Sequence, residues 1–321
     1  MKQVEHLLGY RESIKVMDAT LRDGGLVNDF YFTDDFVKAL YKTNLEAGVD
    51  YMEMGYRASK KVFDETKFGK WKFCSDDHIR EIVGENDTDL KLAIMADIGR
   101  HDKNDFDEKV NSPVDMIRVA AYIHQMPEAI DMIEDAHKKG YETTCNIMAI
   151  SQTRESDLKV ALDMLGKTPV DTIYIVDSFG SIYPEEMKRI VDIYMEAATK
   201  YGKQLGVHAH NNQQLAFANT IEACGDGVNW LDATYKGMGR GAGNCAMELL
   251  LGFLKNPKYN TYPVFRFISD YMVKLEEDGV VWGYDLQYLM TGQFNQHPRA
   301  AIKFTKDKRK DYAEFYKELI V

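Results

Sequence analysis

Two histidines two residues apart, His208 and His210 in VHAHNN, are the first residues with an obvious chemical use. On a strand, alternate side chains share a face, so both imidazoles point the same way. A metal ion would satisfy both, with a carboxylate from another strand end as third ligand; two hydrogen-bonded structural histidines are the alternative. VMDATLRDGG, residues 16–25, offers that carboxylate: it begins as a buried strand and ends in what reads as a glycine turn carrying Arg22 and Asp23. If Asp23 holds a cation, Arg22 can face a carboxylate or a developing enolate. Otherwise the two are a surface pair worth little. GMGRGAGN, residues 237–244, permits tight backbone turns beside a ligand, or is simply a loop into the next helix. Asn244 at its end either caps that helix or adds a metal ligand. Glu53, Tyr56, Asp177, Ser178, Asn211 and Asn212 stand at the ends of other apolar runs.

Those runs are the elements that must position the chemistry. They span 14–20, 49–56, 90–99, 116–123, 141–150, 171–180, 203–212 and 228–237, each with the length and apolar bias of a buried strand. Helical segments lie between them. One ends at Gly48, one at Gly140 after late lysines, and one opens on Pro184. Strands alternating with helices imply parallel pairing through crossovers. Eight strands and a core of about 250 residues favour a closed (β/α)8 TIM barrel over an open sheet. In a barrel the active site lies at the C-terminal strand ends, where the polar residues above fall. No G-x-G-x-x-G fingerprint follows the first strand. The expected domains are a catalytic barrel over 1–262 and a helical, aromatic-rich extension over 263–321 that covers the barrel or carries an interface.

Bulk composition narrows the function. The 321 residues are 45% hydrophobic and 28% charged, with a formal net charge of -11. That balance supports a sizeable core and argues against nucleic acid, whose affinity rests on basic side chains. Cys74, Cys145, Cys224 and Cys245 are widely spaced and read as reduced core thiols. With no apolar leader and no 18-residue apolar stretch, the expectation is a cytoplasmic protein without membrane contact.

Three ordered motifs carry a resemblance: LRDGG after the first strand, HAHNNQQLAFAN at the seventh and LDATYKGMGRGAGN at the eighth. Residues 14 to 255 resemble the barrel family of metal-dependent lyases and synthases that includes 4-hydroxy-2-oxovalerate aldolase, hydroxymethylglutaryl-CoA lyase and isopropylmalate synthase. The compact Gly-rich loop looks most like the aldolase branch. The lyase branch has a cysteine-bearing insertion there, and the synthases have longer C-terminal regions.

The resemblance implies a class II aldolase cleaving or forming a 4-hydroxy-2-oxo acid through a pyruvate enolate. Asp23, His208, His210 and Asn244 would hold a divalent cation: Mn2+ first, with Mg2+, Zn2+ or Co2+ as alternatives. Arg22 would stabilise the enolate, and Ser178 and Asn212 would contact substrate. The partners would be a 2-oxo acid and an aldehyde, with self-association and a dehydrogenase that consumes the aldehyde as further expectations. The alternatives are an acyl-CoA-dependent condensing synthase or hydroxymethylglutaryl-CoA lyase-like enzyme, and a barrel without catalysis that acts as a partner subunit. One position departs from the aldolases: Leu26 stands where they carry a catalytic His. Tyr122 and His124 at the fourth strand end are the replacement candidates; His101, Asn28 and the HPR segment at 297–299 are further polar groups.

Overall fold

The computed structural model describes residues 11–102 and 105–320. Residues 1–10, where the expected barrel domain begins, lie outside the described residues. Eight parallel strands close into a barrel in sequence order. They are β1 (Lys15–Asp18), β2 (Tyr51–Tyr56), β3 (Lys91–Asp97), β4 (Met116–Ala121), β5 (Glu142–Ile147), β6 (Thr172–Asp177), β7 (Gln204–Ala209) and β8 (Trp230–Ala233). Closure comes from β1 lying beside β8, with Val16 opposite Leu231. Each strand falls within one of the runs read from sequence.

Helices α1 (Thr20–Gly24) and α2 (Asp34–Ala47) follow β1, and α3 (Asp76–Val83) follows β2. α4 (Met126–Lys138), α5 (Glu155–Gly166), α6 (Pro184–Tyr201), α7 (Ala216–Gly225) and α8 (Met247–Leu254) follow β4 to β8 in turn. The start and stop signals act as the sequence implies. The Thr33 side chain accepts from the Phe36 amide to begin α2, and Gly48 ends it at φ 74°.

Two local expectations fail. Among the described residues the β3–β4 crossover holds a 3-10 turn, Lys109–Asn111, and no α-helix. Its polar sequence, interrupted by Pro113, has no apolar stripe to pack on the barrel. The residues after β1 also form no glycine turn. They make the single helical turn α1, whose first amide, that of Thr20, donates to the Asp18 carboxylate at 2.9 Å. Gly25 has φ -58°, open to any residue. Its role is space: a Cβ there would stand 2.2 Å from the Phe30 ring and 2.6 Å from the Leu21 carbonyl oxygen.

Alternation along the strands builds the barrel interior in layers. Met17, Tyr51, Ala93, Met116, Tyr174, Val176 and Trp230 form an apolar cluster separate from the main core between strands and helices. Two residues further along three of these strands the inward positions are Glu53, Arg118 and Asp232, all at most 1% exposed. An ionic layer therefore sits on an apolar floor. Gly206 makes room for it, because a Cβ there would lie 2.5 Å from the Tyr174 ring on which Arg118 stacks at 4.5 Å.

Beyond α8 the chain is helical. α9 (Thr261–Phe267) runs through a π-turn (Ile268–Met272) into α10 (Val273–Glu277), followed by α11 (Leu286–Gln293), α12 (Arg299–Lys306) and α13 (Tyr312–Ile320). The Phe267 ring packs on Phe36 of α2 at 5.2 Å. Ala301, Phe304, Phe315 and Leu319 form a small core of their own. The tail is tied down where β5 and β6 end. Asn295 Oδ1 accepts from the Ser151 hydroxyl at 2.6 Å and the Ser181 hydroxyl at 2.9 Å, while its Nδ2 donates to the Ser151 carbonyl at 3.0 Å.

Candidate active site

The C-terminal strand ends bring Asp23, His208 and His210 together. One potential ligand atom from each lies within 4.8 Å of the others, and all three residues are buried. Strand β7 supplies His208, His210 follows directly after its end with its ring 5.0 Å from that of His208, and α1 carries Asp23 to both. Asp23 Oδ2 lies 3.1 Å from His208 Nε2 and 3.2 Å from His210 Nε2. The second nitrogens fix the rings: His208 Nδ1 meets Asp232 Oδ2 at 3.0 Å, and His210 Nδ1 meets the Asp177 carbonyl at 3.0 Å. Such second contacts orient imidazoles in metal sites.

The ionic layer completes the frame. Arg118 pairs with Asp232 at 2.7 Å and with Glu53 Oε2 at 2.8 Å. Glu53 Oε2 also accepts from Arg22 Nε at 2.8 Å, and Arg22 NH1 stands 3.6 Å from Asp23 Oδ1. Six side chains form a closed buried ring: Asp23, His208, Asp232, Arg118, Glu53, Arg22. Charge and burial compete within it. Burial opposes the Asp23 charge, but the imidazoles and Arg22 outweigh it and leave that carboxyl well below the ordinary range. Burial also opposes the charge of Asp232, yet Arg118 and His208 keep its pKa lowered. The imidazoles diverge. Burial depresses His210 to about 4, so it is neutral near pH 7. Burial and Arg22 push His208 the same way, but its contacts to Asp23 and Asp232 prevail and raise it.

Buried atoms without a hydrogen-bond partner in this region include Asp23 Oδ1, His210 Nε2 and Asn244 Oδ1. Asn244 bridges His210 through the backbone, and its Nδ2 donates to the Met238 carbonyl at 3.2 Å. Orphaned acceptors of this kind are costly in a folded interior unless something fills them.

A small cavity opens on the triad. Its polar wall includes Arg22, Tyr56, Asn146, Ser178 and Arg240; Leu26, Met95 and Met148 lie on its apolar side. Ser178 is therefore placed at the cavity, with its Oγ accepting from the Ala149 amide at 2.8 Å. Asn212 is not among the lining residues. Its Nδ2 points to the Tyr288 carbonyl at 3.4 Å, and the residue packs beside Gly292 of the tail. Tyr122 and His124 are also outside the wall: their rings stack on each other at 5.7 Å, and His124 is exposed. His101 stacks on Phe106 beside a separate cavity, and Asn28 donates to the Tyr31 carbonyl. His297 approaches from the tail, its ring 5.7 Å from Phe179. Arg240, Arg118, Asn146 and Asp232 were given no role from sequence. The available signal was a charged residue inside an apolar strand, as in MIRVAA and WLDA.

Comparison with known proteins gives a consistent picture. The HMGL-like family model matches residues 13–267. The chain is 29% identical over 248 residues to oxaloacetate decarboxylase of Mycobacterium tuberculosis, covering 77% of this chain and 71% of that protein. It is 29% identical over 247 residues to 4-hydroxy-2-oxovalerate aldolase of Thermus thermophilus, covering 76% and 70%. Among solved structures, the N-terminal domain of a putative aldolase from Bacteroides vulgatus superposes with TM-score 0.74 and 29% identity, covering 91% of this chain and 97% of that one. The carboxyl transferase domain of Rhizobium etli pyruvate carboxylase shares the fold at TM-score 0.70 and 15% identity, covering 92% and 54%.

Proposed function

The chain belongs to the HMGL-like family, and from that premise we propose that it is a metal-dependent carbon–carbon lyase of the aldolase branch. Its substrate class is a 4-hydroxy-2-oxo acid, cleaved to an aldehyde and pyruvate through the pyruvate enolate. The observation that carries the reading is the buried Asp23, His208 and His210 cluster beside Arg22. The residues fit a divalent cation. Asp23 Oδ1, His210 Nε2 and Asn244 Oδ1 are buried without partners, and an imidazole and carboxylate donor set suits such ions. Asp23, His208 and His210 would hold the cation, with Asn244 as a further oxygen donor. When bound it supplies Lewis-acid polarisation of the 2-oxo group.

The chain's own groups do the rest. Arg22, fixed by Glu53 through Nε, presents the other end of its guanidinium to the cavity, where it binds carboxylate and stabilises negative charge developing on the enolate oxygen. Leu26, Met95 and Met148 exclude water and strengthen that interaction. Aldol cleavage also needs a proton acceptor for the 4-hydroxyl. Among the lining residues outside the candidate ligands, Tyr56 has its phenol raised above the ordinary value by burial, which makes it a poor base.

That gap favours one second reading, decarboxylation of a 2-oxo diacid. Loss of CO2 yields the same enolate and needs no base where Leu26 stands. The test is exchange of pyruvate methyl protons in D2O with each divalent ion supplied in turn, followed by NMR. Exchange that EDTA abolishes is expected; its absence with every ion rejects the aldolase reading, and absence of metal-dependent pyruvate release from oxaloacetate rejects the other. Pyruvate release from 4-hydroxy-2-oxopentanoate or from oxaloacetate then separates them.

Metal affinity has an expected pH dependence. Protonated His208 cannot donate Nε2 to a cation, whereas His210 at about 4 and the lowered Asp23 are already deprotonated near neutrality. Because the His208 pKa is raised above 6.5, binding should release one proton at low pH. The Mn2+ dissociation constant should fall up to about tenfold per pH unit from pH ~6 upward and then level off. Calorimetry in buffers of different ionisation enthalpy reads this directly; an affinity flat across that range contradicts the assignment of His208.

A further inference from the structure

We propose that Arg240 is the anchor for a second anionic group on the substrate, so that the aldehyde portion carries a carboxylate or phosphate. This deepens the reading above and rests on it. Arg22 and Arg240 line the same cavity but stand in different electrostatic circumstances. Arg22 is held by Glu53 and lies beside Asp23. Arg240 touches only neutral protein oxygen: its NH2 donates to the Ser178 carbonyl at 3.0 Å, and its Nε is buried without a partner. Among the described residues no carboxylate is within ion-pair distance of it.

The neighbouring ring does not neutralise the cation. Half-buried His297 packs on Phe179 from the tail. Burial and the neighbouring charges of Arg240, Arg299 and Arg100 hold it near 3, so its ring is neutral near pH 7. Arg240 and Arg299 thus lie near one another on a chain whose formal net charge is -11. A local cationic rim in an acidic protein concentrates anions at that point. Glycines beside Arg240 let its loop lie close to its neighbours: Gly241 faces the Tyr288 ring, and Gly243 approaches the Gly237 carbonyl. The guanidinium is therefore carried on a packed segment, which lowers the entropy lost when it engages a ligand.

In this arrangement the 2-oxo acid head lies toward Arg22 and the triad, and the distal anion lies toward Arg240. A carboxylate held by Arg240 is retained through the reaction, not lost as CO2. The substrate class is accordingly a 4-hydroxy-2-oxo acid with a terminal acid group.

The test compares two acids with the same head and chain length on Mn2+-loaded protein by calorimetry. 2-Oxoglutarate ends in a carboxylate and 2-oxopentanoate in a methyl group. 2-Oxoglutarate should bind at least about tenfold more tightly, as expected for a charge-assisted contact in a partly buried site. Arg240→Gln should bring the ratio close to one. In the condensation direction with pyruvate, succinic semialdehyde and glyceraldehyde 3-phosphate distinguish carboxylate from phosphate, and butanal is the neutral control. Equal affinity of the two acids, or a preference that survives Arg240→Gln, overturns the proposal while leaving the lyase reading standing. Binding of neither acid, together with no pyruvate proton exchange, removes both.

Discussion

Asp23→Asn is expected to lower turnover by about 10³-fold or more while leaving the barrel folded. Asn keeps the shape but removes the charge that both imidazoles share at 3.1 Å and 3.2 Å. A bound cation and the charge it neutralises are worth several kcal/mol in a dry site, and each ~1.4 kcal/mol is a factor of ten. Two measurements check the outcome. Pyruvate proton exchange should disappear, and the thermal shift that divalent ions give the parent protein should vanish with it. A variant that keeps half of its exchange would show that the cluster is structural, the alternative that H-x-H left open.

Arg118→Met should have the largest effect on stability. Arg118 is fully buried and links Asp232 to Glu53, with Tyr174 beneath it. Burial opposes its charge, but the two carboxylates prevail and raise its pKa. Breaking a buried ion pair from one side leaves uncompensated charge, at a cost of about 3–5 kcal/mol. Urea unfolding should show that loss with an unchanged m-value. Adding Asp232→Asn should restore part of it, since one of the stranded charges is then gone. Metal affinity gives a second readout. Asp232 orients His208 and Arg118 orients Asp232, so affinity should drop about 10–100-fold. A loss below ~1 kcal/mol would mean that Glu53 and Asp232 are satisfied by Arg22 and His208 alone.

The barrel was legible because its strands announce themselves. Runs such as TIYIVD are too short and too β-branched for helices, and eight short apolar runs separated by crossovers leave few closed arrangements. The candidate metal cluster was legible for a similar reason: a spacing of two along an extended segment fixes a shared face. What could not be read was direction. Asn212 follows H-x-H by two residues, yet the backbone has left the strand there and turns the side chain to Tyr288. Tyr122 and His124 likewise follow the end of β4, where period-two reasoning no longer applies. The Arg118 pairings join β4 to β2 and β8, contacts that no local pattern encodes. The RDGG segment misled because glycine usually signals a turn, whereas Gly25 is required by the proximity of Phe30.

Asn295 carries a further consequence. By holding Ser151 and Ser181 together it fastens the tail over the ends of β5 and β6, and it does so without touching the ring of charges below. The tail and the charged ring are therefore separable pieces of the chain. Substitutions between α10 and α12 can reshape the rim around His297 while Arg22, Asp23 and the histidines stay fixed. Descendants of this gene could vary the tail without disturbing the charged ring.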